Sequence, residues 1–134
     1  MNFMKLCVIS AFLIINANNV FSAGSSSDSN TKTKSSAYLS AEKLINKKQF
    51  SDAILKLNDA LASDSKNADI YNYLGFSHRK LGKMEQAAVY YNKALEINPK
   101  HKGALEYQGE MYLTLNEINK AEENLKKLDK ICFL

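Results

Sequence analysis

Residues 68–101 read ADIYNYLGFSHRKLGKMEQAAVYYNKALEINPKH, and this stretch decides the fold. Its second half places apolar side chains at the spacing i, i+4, i+7 and i+8, which is typical of one face of a helix: Ala87, Tyr91, Ala94 and Leu95. Gly82 can adopt the left-handed conformation that ends a helix. Pro99 disfavours helical geometry at Asn98 and so ends the second helix. The stretch predicts two helices joined by a turn near Gly82.

The same pattern recurs on both sides of this stretch with a period of 34 residues. The period divides the rest of the chain into unit 1 (34–67), unit 2 (68–101) and unit 3 (102–134). Small residues recur at the eighth and the twentieth positions of the units: Ala41, Gly75, Gly109, Ala53, Ala87 and Ala121. A glycine inside a helix costs about 1 kcal/mol relative to alanine. We therefore expect Gly75 and Gly109 to mark places where two helices approach closely.

The repeated residues resemble the tetratricopeptide repeat, W-x2-L-G-x2-Y followed by Ala, an aromatic, Ala and Pro. Unit 2 matches best, with His78 where the family usually has Tyr: Tyr71, Leu74, Gly75, Ala87, Tyr91, Ala94 and Pro99. The resemblance implies an all-α fold, a right-handed α-solenoid of three helix-turn-helix units. Helix A should run from about position 2 to position 14 of each unit, and helix B from about 18 to 30. Turns are expected near Lys48-Gln49, Gly82-Lys83 and Asn116-Glu117.

Members of this family hold an extended peptide or a partner helix on the concave face lined by helix A. Carried over by position, the resemblance implies a partner-binding groove formed by Tyr38, Glu42, Asn72, Tyr73, Phe76, Arg79, Glu106, Tyr107 and Glu110. Aromatic residues and Arg are enriched at interaction hot spots. The alternative for Tyr73 and Tyr107 is that they only pack between adjacent helices.

One family activity is not expected here. Repeats that bind acidic chaperone tails use a carboxylate clamp of Lys, Asn and Arg. At the five clamp positions this chain has Tyr38, Glu42, Tyr73, Gly103 and Tyr107. The sequence therefore predicts that chaperone tails are not its ligands.

Residues 1–22 have the layout of a secretory signal peptide, with Lys5, an apolar run from Leu6 to Ile15 and small residues at the end. An uncleaved membrane anchor is the rival interpretation, but ten residues cover only about 15 Å of helix against a hydrocarbon core of roughly 30 Å. Residues 23–33 have the Ser-rich composition of a flexible linker. We expect an exported protein, periplasmic or secreted, similar to small exported bacterial tetratricopeptide-repeat proteins, with no stable membrane anchor after cleavage.

Cleavage would remove Cys7 and leave Cys132 as the remaining cysteine. Cys132 then either forms a disulfide with another chain or is a small buried residue of the last helix. The apolar end, Ile131 to Leu134, suggests either a truncated solenoid or a face that docks on another subunit and so supports an oligomer.

The overall composition is that of a soluble globular domain, with 134 residues, 46% hydrophobic residues and a net charge of +4. Neither His78 nor His101 has a second His or Cys at ligand spacing, so we expect no metal, no cofactor and no enzyme activity. His78 is expected to be packed or in the groove, and His101 at the surface. A lysine cluster near the mature N-terminus leaves nucleic-acid binding as a less favoured alternative. The sequence predicts a non-catalytic protein-interaction module, with a structural envelope subunit that docks through its C-terminal face as the runner-up.

Overall fold

A computed structural model describes residues 34–133, and the predicted signal peptide, the linker and Leu134 lie outside the described residues. The described residues form six α-helices and no strand. The helices are α1 (Ser36–Asn46), α2 (Phe50–Ser63), α3 (Ala68–Lys80), α4 (Met84–Ile97), α5 (Lys102–Thr114) and α6 (Ile118–Cys132). None of them is long and apolar enough to cross a membrane.

Each predicted unit contains one helix pair, with α1, α3 and α5 as the A helices and α2, α4 and α6 as the B helices. The turns inside the pairs have the same backbone geometry. Lys48, Gly82 and Asn116 occupy the same position of their units, and all three have a positive φ, of 59°, 77° and 59°. The predicted helix-turn-helix architecture is confirmed, with boundaries within about two residues of those expected.

The A helices begin with side-chain caps and the B helices do not. Ser35 Oγ accepts from Tyr38 N at 3.2 Å, and Asn67 Oδ1 accepts from Asp69 N at 2.9 Å. At α5 the cap is His101, whose Nδ1 accepts from Ala104 N at 3.0 Å. These acceptors satisfy backbone N–H groups that have no partner within the helix. His101, expected at the surface, caps a helix N-terminus, and its side chain is 11% exposed.

Small residues at repeated positions let the two helices of a unit approach. Ala53 and Ala87 are fully buried, and Ala121 is almost so. At Gly75, an added Cβ would lie 2.7 Å from two ring carbons of Tyr91, closer than such atoms pack. At Gly109 the nearest neighbour would be Asn124 Cβ at 3.9 Å, which is ordinary contact. The close approach expected of both glycines is thus found at Gly75, whereas Gly109 leaves room for a methyl group because Asn124 Cβ is the one neighbouring atom within 4 Å of the added carbon.

The core changes character along the solenoid. Between units 1 and 2 it is a continuous apolar cluster of six buried residues: Tyr38, Ala41, Leu57, Ala60, Ile70 and Leu74. Between units 2 and 3 the apolar cluster shrinks to Ala87, Tyr91 and Met111. Next to it Asn124 Nδ2 donates to Gln108 Oε1 at 2.9 Å, and Gln108 Nε2 donates to Asn92 Oδ1 at 2.7 Å. A chain of amides therefore links α4, α5 and α6.

Candidate functional site

The candidate site is the surface lined by the A helices, which we call the inner face. It consists of the nine residues that the sequence predicts as a groove and of the neighbouring cations Lys34 and Lys80. Because α1, α3 and α5 hold equivalent places in their units, residues at the same repeat position follow one another along this face.

At the junction of units 1 and 2, the inner face is closed by aromatic packing. The rings of Tyr38 and Tyr73 lie 5.8 Å apart, centroid to centroid. Glu42 accepts from Tyr73 Oη at 3.4 Å and pairs with Lys34 Nζ at 2.8 Å. The Lys34 ammonium also lies 4.7 Å from the centre of the Tyr38 ring. Tyr38 is only 4% exposed, so it contributes to the core more than to a binding surface.

At the junction of units 2 and 3, the inner face is more open and more polar. The Phe76 and Tyr107 rings lie 5.0 Å apart. The Arg79 guanidinium lies 5.7 Å from the centre of the first ring and 5.8 Å from that of the second. Its Nη2 also pairs with Glu110 Oε2 at 2.7 Å. The four side chains form a single cluster that we call the Arg79 cluster: Phe76, Arg79, Tyr107 and Glu110.

Two further side chains extend the Arg79 cluster. Lys80 Nζ lies 5.3 Å from the centre of the Phe76 ring. Phe50, the first residue of α2, packs edge-on against the same ring at 6.0 Å. Sequence reasoning missed Phe50, although an aromatic residue directly after the turn of unit 1 was a signal that could have found it. Cations over aromatic faces are attracted by the ring quadrupole, so the cluster is held by both charge and packing.

Asn72, also predicted for the groove, lies at the interface of α3 and α5. It is buried, and a Cβ added at Gly103 would lie 3.1 Å from its Nδ2. Its Oδ1 has no hydrogen-bond partner among the described residues. Asn72 therefore fills the space that a glycine leaves on the neighbouring helix and offers little surface to a partner.

The ionisation of the inner face follows from its partial burial. Burial and the nearby Glu42 carboxylate raise the pKa of Tyr73 to about 12, and burial likewise raises the pKa of Tyr107. Both hydroxyls are therefore neutral and able to donate a hydrogen bond at physiological pH. Burial, followed by repulsion from Glu110, raises the pKa of Glu106. Glu106 makes no ion pair within 4.0 Å with any cation of the described range.

The structure thus brings seven of the nine predicted groove residues to a surface that a partner could reach: Glu42, Tyr73, Phe76, Arg79, Glu106, Tyr107 and Glu110. Tyr38 and Asn72 are mainly buried because the next A helix covers them. The role of these residues in binding a partner stays a prediction. Cys132 is half-buried at the end of α6, and both alternatives for it, a disulfide with another chain and a buried residue of the last helix, stay predictions.

Histidine and acidic side chains of the same part of the chain are the other candidates for chemistry. Within residues 34–133, no three His, Cys, Asp or Glu side chains converge in a way that could hold a metal ion. His78 stacks on Tyr90 with centroids 5.1 Å apart, and burial lowers its pKa. His101 Nε2 lies 2.8 Å from Asp69 Oδ1, which links the start of α3 to the start of α5. Both histidines have structural contacts in the solenoid.

Comparison with known proteins agrees with this architecture. Residues 68–101 match the family model of the tetratricopeptide repeat. A curated relative, the uncharacterized protein ycf37 of Pyropia yezoensis, is 31% identical over 97 residues, which cover 66% of this chain and 54% of the relative. The chain thus spans about half the length of the curated relative it matches.

Solved structures share the fold at low sequence identity. MamA residues 41 to the end, from Desulfovibrio magneticus RS-1, superposes with a TM-score of 0.69 at 20% identity, covering 76% of this chain and 58% of that one. The first tetratricopeptide domain of Spaghetti (RPAP3), bound to an HSP90 peptide, gives 0.67 at 16% identity, with 71% and 75% covered. The TPR2B domain of yeast Sti1 in complex with pHsp70 gives 0.65 at 21% identity, with 68% and 73% covered.

The fold and the inner face define the class of protein, a helical-repeat solenoid. Unit 2 matches the tetratricopeptide repeat, and the described residues have the fold of solved tetratricopeptide-repeat structures.

Proposed function

We propose that this chain is a non-catalytic protein-interaction module that holds a partner peptide or helix on its inner face. The observation that carries the proposal is the Arg79 cluster, in which two half-buried aromatic rings, a guanidinium and a carboxylate lie together on adjacent A helices. Rings that are already packed lose little conformational entropy when a partner covers them. Tetratricopeptide neighbours solved with an HSP90 peptide and with pHsp70 support a protein ligand as the class.

The chemistry of the inner face argues for a ligand other than an acidic chaperone tail. The two junctions along it carry Glu42 and Glu110, each already paired with a cation, while Glu106 is unpaired. An acidic tail would meet these carboxylates without the clamp cations that such ligands require. We propose a partner segment with apolar side chains for the aromatic rings and at least one cationic group for Glu106.

Site-specific photo-crosslinking tests the groove. A photoreactive side chain replaces Lys80, which lies against Phe76, or replaces Lys93, an exposed lysine of α4 paired with Glu96. We expect position 80 to crosslink a defined partner protein and position 93 to give only background. Tyr107→Ala should reduce the crosslink at position 80, whereas Val89→Ala, at an exposed residue of α4, should leave it unchanged. Equal labelling from positions 80 and 93 would contradict the groove.

We also propose that the mature protein acts outside the cytoplasm, in the periplasm or in the secreted fraction. The support is the signal-peptide pattern of residues 1–22. N-terminal sequencing of the protein from the extracellular or periplasmic fraction should give a chain that starts near Ala23. A chain that still starts at Met1 would contradict export by cleavage.

Nucleic-acid binding and the envelope-subunit role are separable alternatives. Phosphate contacts would make the affinity fall steeply with salt, whereas a contact with aromatic rings should depend on salt only weakly. The envelope-subunit role requires the C-terminal end of the solenoid to dock on another protein.

A further inference from the structure

The contacts between the units show which repeat positions of one unit pack against the next unit. The fifth, ninth and twelfth residues of a unit lie on its A helix and contact the following A helix. In unit 1 both Tyr38 and Glu42 contact Tyr73, and in unit 2 Arg79 contacts Tyr107 and Glu110. On the B helix the corresponding stripe is formed by the seventeenth, twenty-first, twenty-fourth and twenty-eighth residues. In unit 1 this stripe includes Ile54, Leu57 and Leu61, which pack with residues of α3.

The equivalent stripe of unit 3 has no helix over it in the described range. We call this stripe the open face, and its seven residues are Glu106, Glu110, Leu113, Ile118, Glu122, Leu125 and Asp129. Its three aliphatic side chains are well exposed, with Leu113 at 55%, Ile118 at 46% and Leu125 at 37%. Leu57 and Tyr91, which precede Leu125 at the same repeat position, are fully buried. A following helix therefore buries this position in both earlier units.

The charge of the open face distinguishes it from the earlier interfaces. Its seven positions carry four carboxylates and no cation, in a chain whose net charge is +4. The same positions carry one acid in unit 1, Glu42, and one cation in unit 2, Arg79. Glu106, Glu122 and Asp129 make no ion pair within the described residues, and Lys126 at the flank pairs with none of them. The face is therefore acidic and partly apolar.

We propose that the open face binds an amphipathic helix of a partner protein whose apolar stripe is flanked by Lys or Arg. The helix would lie on α5 and α6 as α5 lies on α3 and α4. Its apolar side chains would cover Leu113, Ile118 and Leu125, and its cations would meet the four carboxylates. A face that served only to keep the end of the solenoid in water would need no exposed aliphatic residues at these positions.

A second copy of this chain is a poor occupant. Stacked head to tail, it would present α1 to the open face and so place Ser36, Ser40 and Lys43 in the contact. The equivalent residues of α3 and α5 are all buried: Ile70, Leu74, Ser77, Ala104, Gln108 and Met111. Burying the Lys43 ammonium in their place would carry a large desolvation penalty. The chemistry of the face thus favours a basic helix from another protein.

Binding of designed helices to the full-length chain tests the proposal. The probe is a synthetic helix of about 13 residues, the length of α3 and α5, with Leu on one face and Lys beside it. A second probe has Glu in place of every Lys. We expect the Lys helix to bind by calorimetry with a Kd in the micromolar range and the Glu helix to bind at least about tenfold more weakly. Added salt should weaken the binding of the Lys helix.

Charge reversal on α6 provides the matched variants. Glu122→Lys combined with Asp129→Lys should reduce the affinity of the Lys helix about tenfold or more, with the melting temperature unchanged because both side chains are exposed. Glu123→Lys makes the same kind of change one residue away from the open face and should have little effect. Equal binding of the two helices, or an equal loss with Glu123→Lys, would overturn the proposal. So would concentration-dependent self-association that the double charge reversal removes, because a second copy would then occupy the face.

Discussion

The two junctions of the solenoid have different kinds of side chains at the same repeat positions. Between units 1 and 2, the apolar residues Leu57, Ile70 and Leu74 are fully or almost fully buried. Between units 2 and 3, Gln108 stands where unit 2 has Leu74, and its amide is bonded to Asn92 and Asn124. Burial of apolar area is the dominant favourable contribution to folding. We infer that the first junction contributes more to the stability of the solenoid than the second, whose inner face carries the proposed recognition residues.

The largest expected effect comes from truncating the same repeat position at opposite ends of the chain. Leu57 is fully buried at the first junction, whereas Leu125 is 37% exposed on the open face. Leu57→Ala should lower the free energy of unfolding by about 2–5 kcal/mol, and Leu125→Ala by clearly less because water already reaches that side chain. Urea unfolding followed by circular dichroism measures both. Equal losses would show that the two ends contribute alike to stability and would contradict the proposed difference between them.

The next largest effect on stability is expected at the chain of amides that links α4, α5 and α6. Asn124→Ala removes the donor to Gln108 Oε1 and to the Leu105 carbonyl oxygen. Loss of one partner in a buried hydrogen-bonded network should cost about 1–3 kcal/mol. Replacing both partners, with Gln108→Leu and Asn124→Leu together, should restore most of the loss, since an apolar pair matches the Leu74 pattern of unit 2. Equal destabilisation by the single and the double variant in urea unfolding would show that the amides do not act as a pair.

The two mid-helix glycines should respond to alanine with opposite signs. Gly75→Ala forces a methyl group against the Tyr91 ring and should destabilise by about 1–3 kcal/mol, less the gain in helix propensity. Gly109→Ala places the methyl group at ordinary contact distance and should stabilise by up to about 1 kcal/mol. Thermal melts of the two variants side by side measure the difference. The same sign for both would contradict the difference in packing between the units.

The His101–Asp69 contact gives the second junction a dependence on pH. The hydrogen bond from His101 lowers the pKa of Asp69 below its usual value. A depressed carboxyl pKa contributes stability that is fully present above the unfolded-state pKa of about 3.9. That stability is lost as the pH falls through the lower folded-state value. We expect Asp69→Asn to lower the melting temperature at pH 6 and to have a smaller effect at pH 3, where the unfolded-state carboxyl is largely protonated. A similar decrease at both pH values would show that the effect does not come from the charge of the Asp69 carboxylate.

Periodicity predicts the helix pairs and the small residues at Ala53 and Ala87 because both depend on spacing within one unit. Periodicity predicts less well which side chains of an A helix are covered by the neighbouring A helix. Tyr38 and Tyr73 fall on one predicted surface, yet α3 covers Tyr38, and only the stacking of units reveals this. The amides of Gln108 and Asn124 are polar, so a hydropathy pattern assigns them to solvent. Their burial depends on hydrogen bonds between residues 16 positions apart in sequence.

The smallest effect concerns the turns, where the three units share a backbone geometry and differ only in residue. Lys48, Gly82 and Asn116 all have positive φ, a conformation that glycine adopts without cost and that a residue with a Cβ adopts at about 1–2 kcal/mol. Part of the gain from glycine is offset because it also has more freedom in the unfolded chain. Lys48→Gly should therefore stabilise the protein by about 0.5–1 kcal/mol, and Asn116→Gly by less, since Asn tolerates this region better than Lys. Gly82→Ala should destabilise by a comparable amount, although no atom lies within 4 Å of the added methyl group. If thermal melts gave these three variants their expected order, the backbone of the turns would be equivalent in all units, and the difference between the two junctions would reside in their side chains alone.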